Sequence, residues 1–327
     1  MTPKLFNLQQ IKTVCPDLGT KAAAVLVDPV EAVEKGFIAY SEGGVVVPPV
    51  GELIFDDPPG EAHIKYGYIK GDKYYVIKMA SGFYNNNLLG LPNSSGLMLL
   101  FNQLTGQLAG ILLDEGYLTD VRTAAAGAVA ARYLAPEPVT AIGVLGTGTQ
   151  ARMQVQYLQS ITQCRDVMVW GIRTESALKY MADMEERGYR VTVCTEPSEV
   201  AANCNLIITT TPSQQPLLKL ENIKPGTHIT AMGSDTAEKN ELDPQILAAA
   251  HRVAADSLQQ CRSRGEIYKA LIAGCITAEK PVELGKIITS IYKRRTTNDQ
   301  ITVADLTGVA IQDIQIASAV FDILAGA

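Results

Sequence analysis

A short glycine-containing stretch, Gly146-Thr-Gly148-Thr-Gln150-Ala151, constrains the fold more than any other part of this sequence. The apolar residues 139–145 lead directly into its first glycine, and apolar residues at helical spacing follow its alanine. Where a buried strand turns into a helix, the first glycine permits the tight turn and the second lets a pyrophosphate approach the backbone, while the alanine keeps helix and strand close. The pattern therefore favours a dinucleotide site at the free N–H groups of the helix over an ordinary glycine-rich turn. The candidate cofactor-binding residues are Gly146, Gly148, Thr149, Gln150 and Ala151.

Short apolar runs alternate with helical stretches from residue 139 onward, which predicts an α/β fold of the Rossmann type with a doubly wound parallel sheet. The predicted strands are residues 139–145, 167–170, 191–194, 206–210, 227–232 and 251–255. Before residue 120, Pro, Gly and Asp turns separate the apolar runs, and this pattern predicts antiparallel strands and one helix over residues 29–41. Thr119 or Asp120 is predicted to cap a helix that continues to residue 134, and residues 309–324 predict a last helix.

Composition narrows the functional classes. Lys and Arg total 28 against 34 Asp and Glu, so the formal charge is −6, and the lack of a basic block argues against nucleic acid as a partner. No apolar run approaches the ~20 residues of a membrane helix, and the first residues do not resemble a signal peptide. We therefore expect a cytoplasmic protein that does not bind membranes. Three His and six Cys lack the spacing of zinc ligands, so no metal site is expected.

The residues after the second predicted strand of the sheet bear on the choice of cofactor. Enzymes that use NAD usually place Asp or Glu there to hold the ribose 2′-hydroxyl. This chain has Gly171-Ile172-Arg173-Thr174 instead, so no carboxylate repels a 2′-phosphate and the Arg173 guanidinium could pair with one. The predicted cofactor is NAD(P)H, with NADP(H) favoured. In the alternative interpretation, Arg173 is a solvated surface residue.

Six stretches, spread in order over nearly the whole chain, match a known family. They are Lys78 in Val-Ile-Lys, residues 120–127 (DVRTAAAG), 146–151 (GTGTQA), 209–213 (TTTPS), 233–243 (GSDTAEKNELD) and 305–313 (DLTGVAIQD). In this combination the chain resembles the ornithine cyclodeaminase/mu-crystallin family, which includes an archaeal-type alanine dehydrogenase and several imino-acid reductases. The resemblance implies a homodimer of two-domain subunits. A Rossmann NAD(P)-binding domain would span residues 121–305, and a smaller α+β domain, for substrate binding and dimerisation, would comprise residues 1–120 and 306–327.

The resemblance also implies roles for individual residues. Lys78 and Arg122 match the positions that bind the substrate carboxylate, which suits a guanidinium fork and a second cation, and Lys78 is also a candidate catalytic residue. Asp235 matches the family's catalytic carboxylate beside the cofactor, and it follows an apolar strand, where open α/β sheets place their sites. The remaining candidates are Thr209, Thr211 and Ser213 at the nicotinamide, and Gly308 at the substrate. The three hydroxyl groups could equally be caps of strand ends.

Departures from the family pattern bear on the substrate. The cyclodeaminase pattern of an acidic partner for a distal substrate amine is not evident, and Thr236-Ala237-Glu238 replaces the usual Pro-Gly after the catalytic Asp. His63 and Lys65 share one face of a predicted strand. They could hold a second substrate carboxylate, as in a dicarboxylic imine such as iminosuccinate. Alternatively, Lys65 is simply solvated.

These residues together predict an NAD(P)H-dependent reductase of an α-imino acid, reversible as an amino-acid dehydrogenase. Its substrate would be a cyclic or dicarboxylic imine, held by Lys78 and Arg122, and Asp235 would supply the proton to nitrogen. One alternative is an ornithine- or lysine-type cyclodeaminase that uses NAD catalytically. Another is a nicotinamide-dependent binding protein without turnover.

Overall fold

The computed structural model describes residues 2–18 and 26–326, and the chain divides into two compact units. The first unit comprises Met1–Thr123 and Val309–Ala327, and the second comprises Ala124–Gly308. Each boundary lies slightly beyond the residue expected from the sequence, at Thr123 rather than 120 and at Gly308 rather than 305. Within the described ranges, no helix combines the length and apolar character needed to cross a membrane.

The helices and strands are numbered in chain order. The helices are α1 (Leu8–Val14), α2 (Pro29–Ser41), α3 (Tyr117–Leu134), α4 (Thr149–Tyr157), α5 (Thr174–Glu185), α6 (Pro197–Asn203), α7 (Pro244–Ala249), α8 (Leu258–Cys261), α9 (Gly265–Ile272), α10 (Leu284–Ile288) and α11 (Ala310–Ala325). The strands are β1 (Lys4–Asn7), β2 (Val45–Val46), β3 (Gly51–Asp56), β4 (Pro59–Ile69), β5 (Tyr74–Phe83), β6 (Ser94–Asn102), β7 (Leu108–Leu113), β8 (Ile142–Leu145), β9 (Asp166–Trp170), β10 (Arg190–Val193), β11 (Leu206–Thr209), β12 (His228–Ala231), β13 (Arg252–Ala255), β14 (Pro281–Glu283) and β15 (Thr302–Asp305).

Two helices of the first unit show how local sequence sets their starts. α2 spans the predicted residues, because Asp28 accepts hydrogen bonds from the N–H groups of Val30 and Glu31 and a proline occupies the first turn. The predicted start of α3 at Thr119 or Asp120 is wrong. The helix begins at Tyr117 because the Asp114 carboxylate accepts the Leu118 N–H at 2.8 Å.

The sheet of the first unit has one covered face and one exposed face. Its order is β1-β7-β6-β5-β4-β2, with β3 paired to β4; every pairing is antiparallel except that of β1 with β7. Val76, Met98, Leu100 and Leu112 are buried on the face that α11 covers, and Lys78 lies among them. Because side chains alternate along a strand, neighbouring positions face the other way. On that face Leu53, Phe55, Tyr66 and Met79 are all exposed.

The second unit confirms the predicted Rossmann-type sheet. Its strands are all parallel, in the order β10-β9-β8-β11-β12-β15-β13-β14. From β8 the chain proceeds outward to β9 and β10, then returns to β11 on the other side of β8. Ligands of open α/β sheets bind at the carboxyl ends of the strands beside such a reversal. The glycine stretch that follows β8 therefore occupies the expected position.

Gly110 of β7 tests how tightly the first unit packs. A Cβ there would collide with the Phe321 ring of α11 and would lie 2.7 Å from the Lys4 carbonyl oxygen. We expect Gly110→Ala to lower the free energy of unfolding by about 1–3 kcal/mol, since neither a packed ring nor a paired strand can yield freely. Gly148→Ala is the control, because a Cβ at Gly148 meets no atom within 4 Å, and its cost should stay below about 1 kcal/mol. Equal losses in urea denaturation would contradict this packing.

Candidate functional site

The turn after β8 has the backbone that its glycines require. Gly146 has a φ of 114°, which side chains rarely adopt, and a Cβ there would lie 2.5 Å from Thr210 Oγ1. Gly148 is the residue before α4, and its side of the turn is open to solvent. The cap position of α4 is Gly148, which provides no side-chain hydrogen bond to the N–H groups at the start of the helix. The turn therefore fits a pyrophosphate, because the free N–H groups and the open space occur together.

The remaining residues of this motif differ in burial and in their contacts. Ala151 is fully buried against β8, where it packs near Ile142 and Val144. Gln150 is half-buried, and its amide oxygen accepts a hydrogen bond from Gln154 at 3.3 Å. Thr149 is exposed at the first position of α4.

Arg152 is a residue of this turn that the sequence pattern did not single out. Its Nη1 donates to the carbonyl oxygens of Thr147 and Gly148, and its Nε and Nη2 donate to Asp183 of α5 at 2.9 and 2.6 Å. The guanidinium thus ties both glycine-turn carbonyls to a neighbouring helix. The motif gives no signal for it, because position 152 follows the last residue that the motif fixes.

Arg173 is exposed where β9 gives way to α5. Ile172 beside it is 90% exposed. The segment from Gly171 to Thr174 carries no carboxylate, so the structure leaves the Arg173 side chain accessible to an anion.

Glu241 is a buried carboxylate that accepts hydrogen bonds from two of the hydroxyl groups predicted to line the nicotinamide, those of Thr209 and Thr211. Thr209 Oγ1 donates to Glu241 at 2.6 Å and is fully buried. Thr211 Oγ1 also donates to Glu241, at 2.7 Å. The Ser213 hydroxyl donates to the Gln215 carbonyl oxygen at 2.7 Å. The burial of Thr209 and its bond to Glu241 favour the strand-end alternative for this hydroxyl, and a contact of Thr209 with the cofactor stays a prediction.

Asp235 lies in the turn after β12, with a half-exposed side chain. Lys239 Nζ donates to its Oδ1 at 2.6 Å. The backbone carbonyl of Asp235 accepts from Arg264 at 3.3 Å. This carboxylate is thus accessible to solvent and held in position by a neighbouring cation.

Two cations in the first unit share one buried carboxylate, that of Asp313 in α11. Arg122 Nε donates to Asp313 Oδ1 at 2.9 Å, and Lys78 Nζ lies 3.3 Å from the same oxygen. Arg122 Nη1 also donates to Gln312 Oε1 at 2.7 Å. All four residues are at most 5% exposed. Asp313 is therefore the carboxylate that contacts both cations, away from water.

The charges of this cluster perturb its titration. Burial lowers the pKa of Lys78 to about 7, although Asp313 opposes this, and the positive charges of Arg122 and Lys65 lower it further. Burial opposes ionisation of Asp313, yet Arg122 and Lys78 outweigh burial and hold its pKa below the usual value. The carboxylate is ionised at neutral pH, whereas the lysine is poised to lose its proton.

Three buried polar atoms of this region have no hydrogen-bond partner among the residues that the structure describes. They are Asp313 Oδ2, Gln312 Nε2 and Asp114 Oδ1. Burial raises the pKa of Asp114, which the Leu118 N–H and the nearby Lys78 oppose. Buried polar atoms are normally paired, so a donor and two acceptors without partners indicate a place for a polar ligand or water.

His63 and Lys65 share one face of β4, as the strand pattern predicts, and the structure adds that Lys78 lies on the same face of the sheet. Lys65 of β4 lies directly opposite Lys78 of β5. His63, however, is flanked by carboxylates, with Glu52 at 3.7 Å from Nδ1 and Glu61 at 3.5 Å from Nε2. His63 is therefore poorly suited to attract a second substrate carboxylate, because two negative charges already surround it.

Gly308 is buried at the end of the second unit. Its N–H donates to Asp256 Oδ2 at 2.6 Å, and its φ of 82° favours glycine. Asp256 also accepts from Thr307 at 3.1 Å. These contacts fix the backbone at Gly308, and its role at a substrate stays a prediction.

Asp313→Asn tests the shared counter-charge. The variant should lower the free energy of unfolding at pH 7 by about 3–5 kcal/mol, because it leaves two buried cations without a negative partner. Since the pKa of Asp313 is lowered, this contribution is complete at neutral pH and is lost as pH falls through that lowered pKa. Asp322→Asn on the same helix is the control and should cost about 1 kcal/mol in urea denaturation, because its contacts are partly solvated. An Asp313→Asn loss no larger than the control's would contradict the account.

Comparison with known proteins adds a family to this geometry. The family model for ornithine cyclodeaminase/mu-crystallin proteins matches residues 13–327. An alanine dehydrogenase of Archaeoglobus fulgidus is 35% identical over 292 residues, covering 89% of this chain and 88% of the relative. A solved archaeal alanine dehydrogenase dimer with bound NAD has a TM-score of 0.88 at 30% identity, over 100% of this chain and 97% of that one. The iminosuccinate reductase of Paracoccus denitrificans in complex with NAD+ has a TM-score of 0.87 at 29% identity, over 99% and 96%.

Proposed function

This chain belongs to the ornithine cyclodeaminase/mu-crystallin family, and from that premise we propose that it is an NAD(P)H-dependent reductase of an α-imino acid, reversible as an amino-acid dehydrogenase. One observation carries the proposal: buried Lys78 and Arg122 share the single carboxylate of Asp313. A substrate carboxylate would supply a second negative group in contact with both cations, beside that of Asp313. A planar carboxylate suits a guanidinium with a second cation beside it.

The turn after β8 is the proposed cofactor site. Gly146, Gly148, Thr149 and Gln150 would hold the pyrophosphate, and Ala151 keeps α4 close to β8. When bound, the nicotinamide cofactor supplies the hydride. Two solved relatives that contain NAD or NAD+ have the same fold at similar identity, which supports a dinucleotide in this site.

Proton supply is the proposed role of Asp235. Reduction of a C=N bond needs one hydride at carbon and one proton at nitrogen, and a carboxyl group at an accessible position can deliver that proton directly or through water. Lys78 and Arg122 would hold the substrate carboxylate, which fixes the orientation of the imine. Lys78 has its pKa near 7, so its charge is sensitive to the occupant of the cluster.

The charges beyond Lys78 bear on the size of the substrate. Lys65 is the candidate for a second substrate carboxylate, because it lies opposite Lys78 while His63 is flanked by Glu52 and Glu61. The same two carboxylates favour a second candidate function, since they suit the distal ammonium of a diamino acid. In that case the protein is a cyclodeaminase of the ornithine or lysine type, and it regenerates its cofactor within each cycle.

The exposed face of the first sheet supports a homodimer. Leu53, Phe55, Tyr66 and Met79 present apolar surface there, and exposed apolar patches of this kind mark association surfaces. We propose a second copy of this chain as the occupant. The solved archaeal relative is a dimer, which agrees with this choice.

Absorbance of the reduced cofactor tests the proposed reaction. Purified protein with NADPH or NADH is given pyrroline-2-carboxylate, piperideine-2-carboxylate, or pyruvate or oxaloacetate with ammonia. We expect oxidation of the cofactor with at least one imine, and we expect Asp235→Asn to lower kcat by about 100-fold or more, because the proton donor is lost. The best imine will show whether Lys65 faces a second carboxylate.

Ornithine and lysine with catalytic NAD(P)+ are run in parallel. Ammonia release from either diamino acid, without oxidation of reduced cofactor by any imine, would sink the reductase proposal in favour of the cyclodeaminase. Full turnover by Asp235→Asn would remove Asp235 from the reaction.

Arg173→Ala tests the preference for NADP(H). Loss of a charge-assisted contact to the 2′-phosphate should raise the KM for NADPH about tenfold and leave that for NADH unchanged. Arg187→Ala, at another exposed arginine of the second unit, is the matched control and should change neither constant. An unchanged KM for NADPH in Arg173→Ala would identify Arg173 as a surface residue without a cofactor role.

A further inference from the structure

Glu241 is the most fully hydrogen-bonded carboxylate at the carboxyl ends of the central strands. It has no exposed surface. Its Oε1 accepts from the Thr211 N–H at 2.6 Å and from Thr211 Oγ1 at 2.7 Å. Its Oε2 accepts from Thr209 Oγ1 at 2.6 Å and from the Gly233 N–H at 2.9 Å. Burial raises the pKa of Glu241, and the four hydrogen bonds from Thr209, Thr211 and Gly233 oppose that rise because they favour the carboxylate.

The four donors come from the ends of two adjacent strands. Thr209 is the last residue of β11, Thr211 lies two residues beyond it, and Gly233 follows β12. The two segments approach so closely at Gly233 that a Cβ there would lie 2.5 Å from the Thr211 nitrogen and 2.6 Å from Glu241 Oε2. Asp235 follows Gly233 by two residues, and its N–H donates to the Gly233 carbonyl at 3.1 Å. Glu241 thus fixes the start of the turn that carries Asp235.

Glu241 is itself held firmly. Its carbonyl oxygen accepts from the N–H groups of Leu217 and Leu218, at 2.7 and 3.2 Å. Its own N–H donates to Glu266 Oε1 at 2.7 Å. Glu241 is therefore held through its backbone as well as through its carboxylate. Any displacement of the carboxylate must displace the end of β11 or the Asp235 turn.

We propose that Glu241 is the positioning residue that sets the Asp235 turn and the end of β11 for hydride and proton transfer. This inference rests on the proposed function, because it assigns Asp235 to the proton and the carboxyl ends of these strands to the nicotinamide. Glu241 acts through Gly233 and Thr211 and touches neither substrate nor cofactor. The glycine turn after β8 is outside its contacts, so binding of the adenosine diphosphate portion should not depend on it.

An amide cannot replace this carboxylate. Each oxygen of Glu241 accepts from one backbone N–H, that of Thr211 or that of Gly233. A hydroxyl group can rotate to accept, but a backbone N–H cannot. In Glu241→Gln the NH2 group therefore opposes one backbone N–H in either amide orientation, and the local geometry must change.

Glu266→Gln is the matched control. Glu266 is also a buried carboxylate, with its pKa raised to about 7 by burial, and it accepts from the N–H groups of Glu241 and Leu242 and from Asn240 Nδ2. An amide there opposes a backbone N–H in the same way. Its side chain bonds to the Glu241 backbone but not to β11 or to Gly233, so Glu266→Gln reports the cost of a buried amide that leaves the four donors of the Glu241 carboxylate in place.

The experiment compares wild type, Glu241→Gln and Glu266→Gln for thermal stability, kcat with the best imine, and Kd for ADP-ribose and for NADH by calorimetry. The fluorescence of bound NADH reports the surroundings of the nicotinamide. We expect both variants to lose stability. Only Glu241→Gln should lose about 100-fold in kcat and the wild-type fluorescence of bound NADH, while its Kd for ADP-ribose stays within about threefold of wild type.

Other outcomes overturn the proposal in distinguishable ways. A wild-type kcat and fluorescence in Glu241→Gln, or equal losses in Glu266→Gln, would show that Glu241 has no specific positioning role. A wild type that binds NADH but reduces no imine would overturn the proposed function, and the NADH fluorescence would still decide the role of Glu241. A wild type that binds neither NADPH nor NADH would overturn both.

Thr209 provides a second test if Glu241→Gln does not fold. Thr209→Val removes one of the four donors to Glu241 while keeping the shape of the side chain, and Thr209→Ser keeps the donor. We expect about a tenfold lower kcat for Thr209→Val and near-wild-type kcat for Thr209→Ser. Equal kcat in the two variants would contradict the proposal, because the hydroxyl would then not matter.

Discussion

The negative charge of Asp313 is shared by two buried cations, Lys78 and Arg122, and the order of the first unit depends on that sharing. Burial of an unpaired charge costs several kcal/mol, so α11, α3 and β5 must keep the positions that place these three side chains together. The pairing is incomplete, since two positive charges meet one carboxylate. The folded unit therefore keeps both cations buried, and their positive charge still attracts one more anion.

The second unit also depends on a buried charged group, but here the group is an anion held by hydrogen-bond donors. Glu241 is a buried anion whose partners are N–H and O–H donors, and those donors are the ends of the strands beside which a ligand would bind. Movement of these donors away from the carboxylate is unfavourable, because each would lose a charge-assisted hydrogen bond. The buried carboxylate of Glu241 thus fixes the position of the turn that carries the exposed side chain of Asp235.

Elements with strong local signals could be predicted from the sequence. The Gly146 turn is recognisable because its φ of 114° demands glycine, and α2 is recognisable from Asp28 and the proline that follows it. β15 could not be recognised, because its four residues are buried but two of them, Thr302 and Asp305, are polar. The start of α3 was placed wrongly because Asp114, which accepts the Leu118 N–H, lies outside the usual capping position.

The sequence indicates which residue types form the candidate site, but it does not indicate which other residues those side chains contact. The sequence indicated Lys78 and Arg122 as carboxylate ligands through family resemblance, but it did not show that Asp313 already lies between them. The alternation of side chains along a strand also predicts that His63 and Lys65 share one face, whereas Glu52 reaches His63 only through the register of β3 on β4. Contacts of this kind depend on long-range pairing, which a local pattern does not encode.

The titration of Lys78 tests the central claim most directly, because the claim is that its charge is poised for a carboxylate. NMR of the lysine side chains, with Lys78→Met to assign the signal, would give its pKa with and without pyrrole-2-carboxylate, a planar carboxylate that cannot be reduced as an imine. The account predicts a pKa near 7 in the free protein and a higher pKa with the carboxylate bound, because an added negative charge favours the ammonium. A pKa near 10.5 that the carboxylate does not change would contradict it.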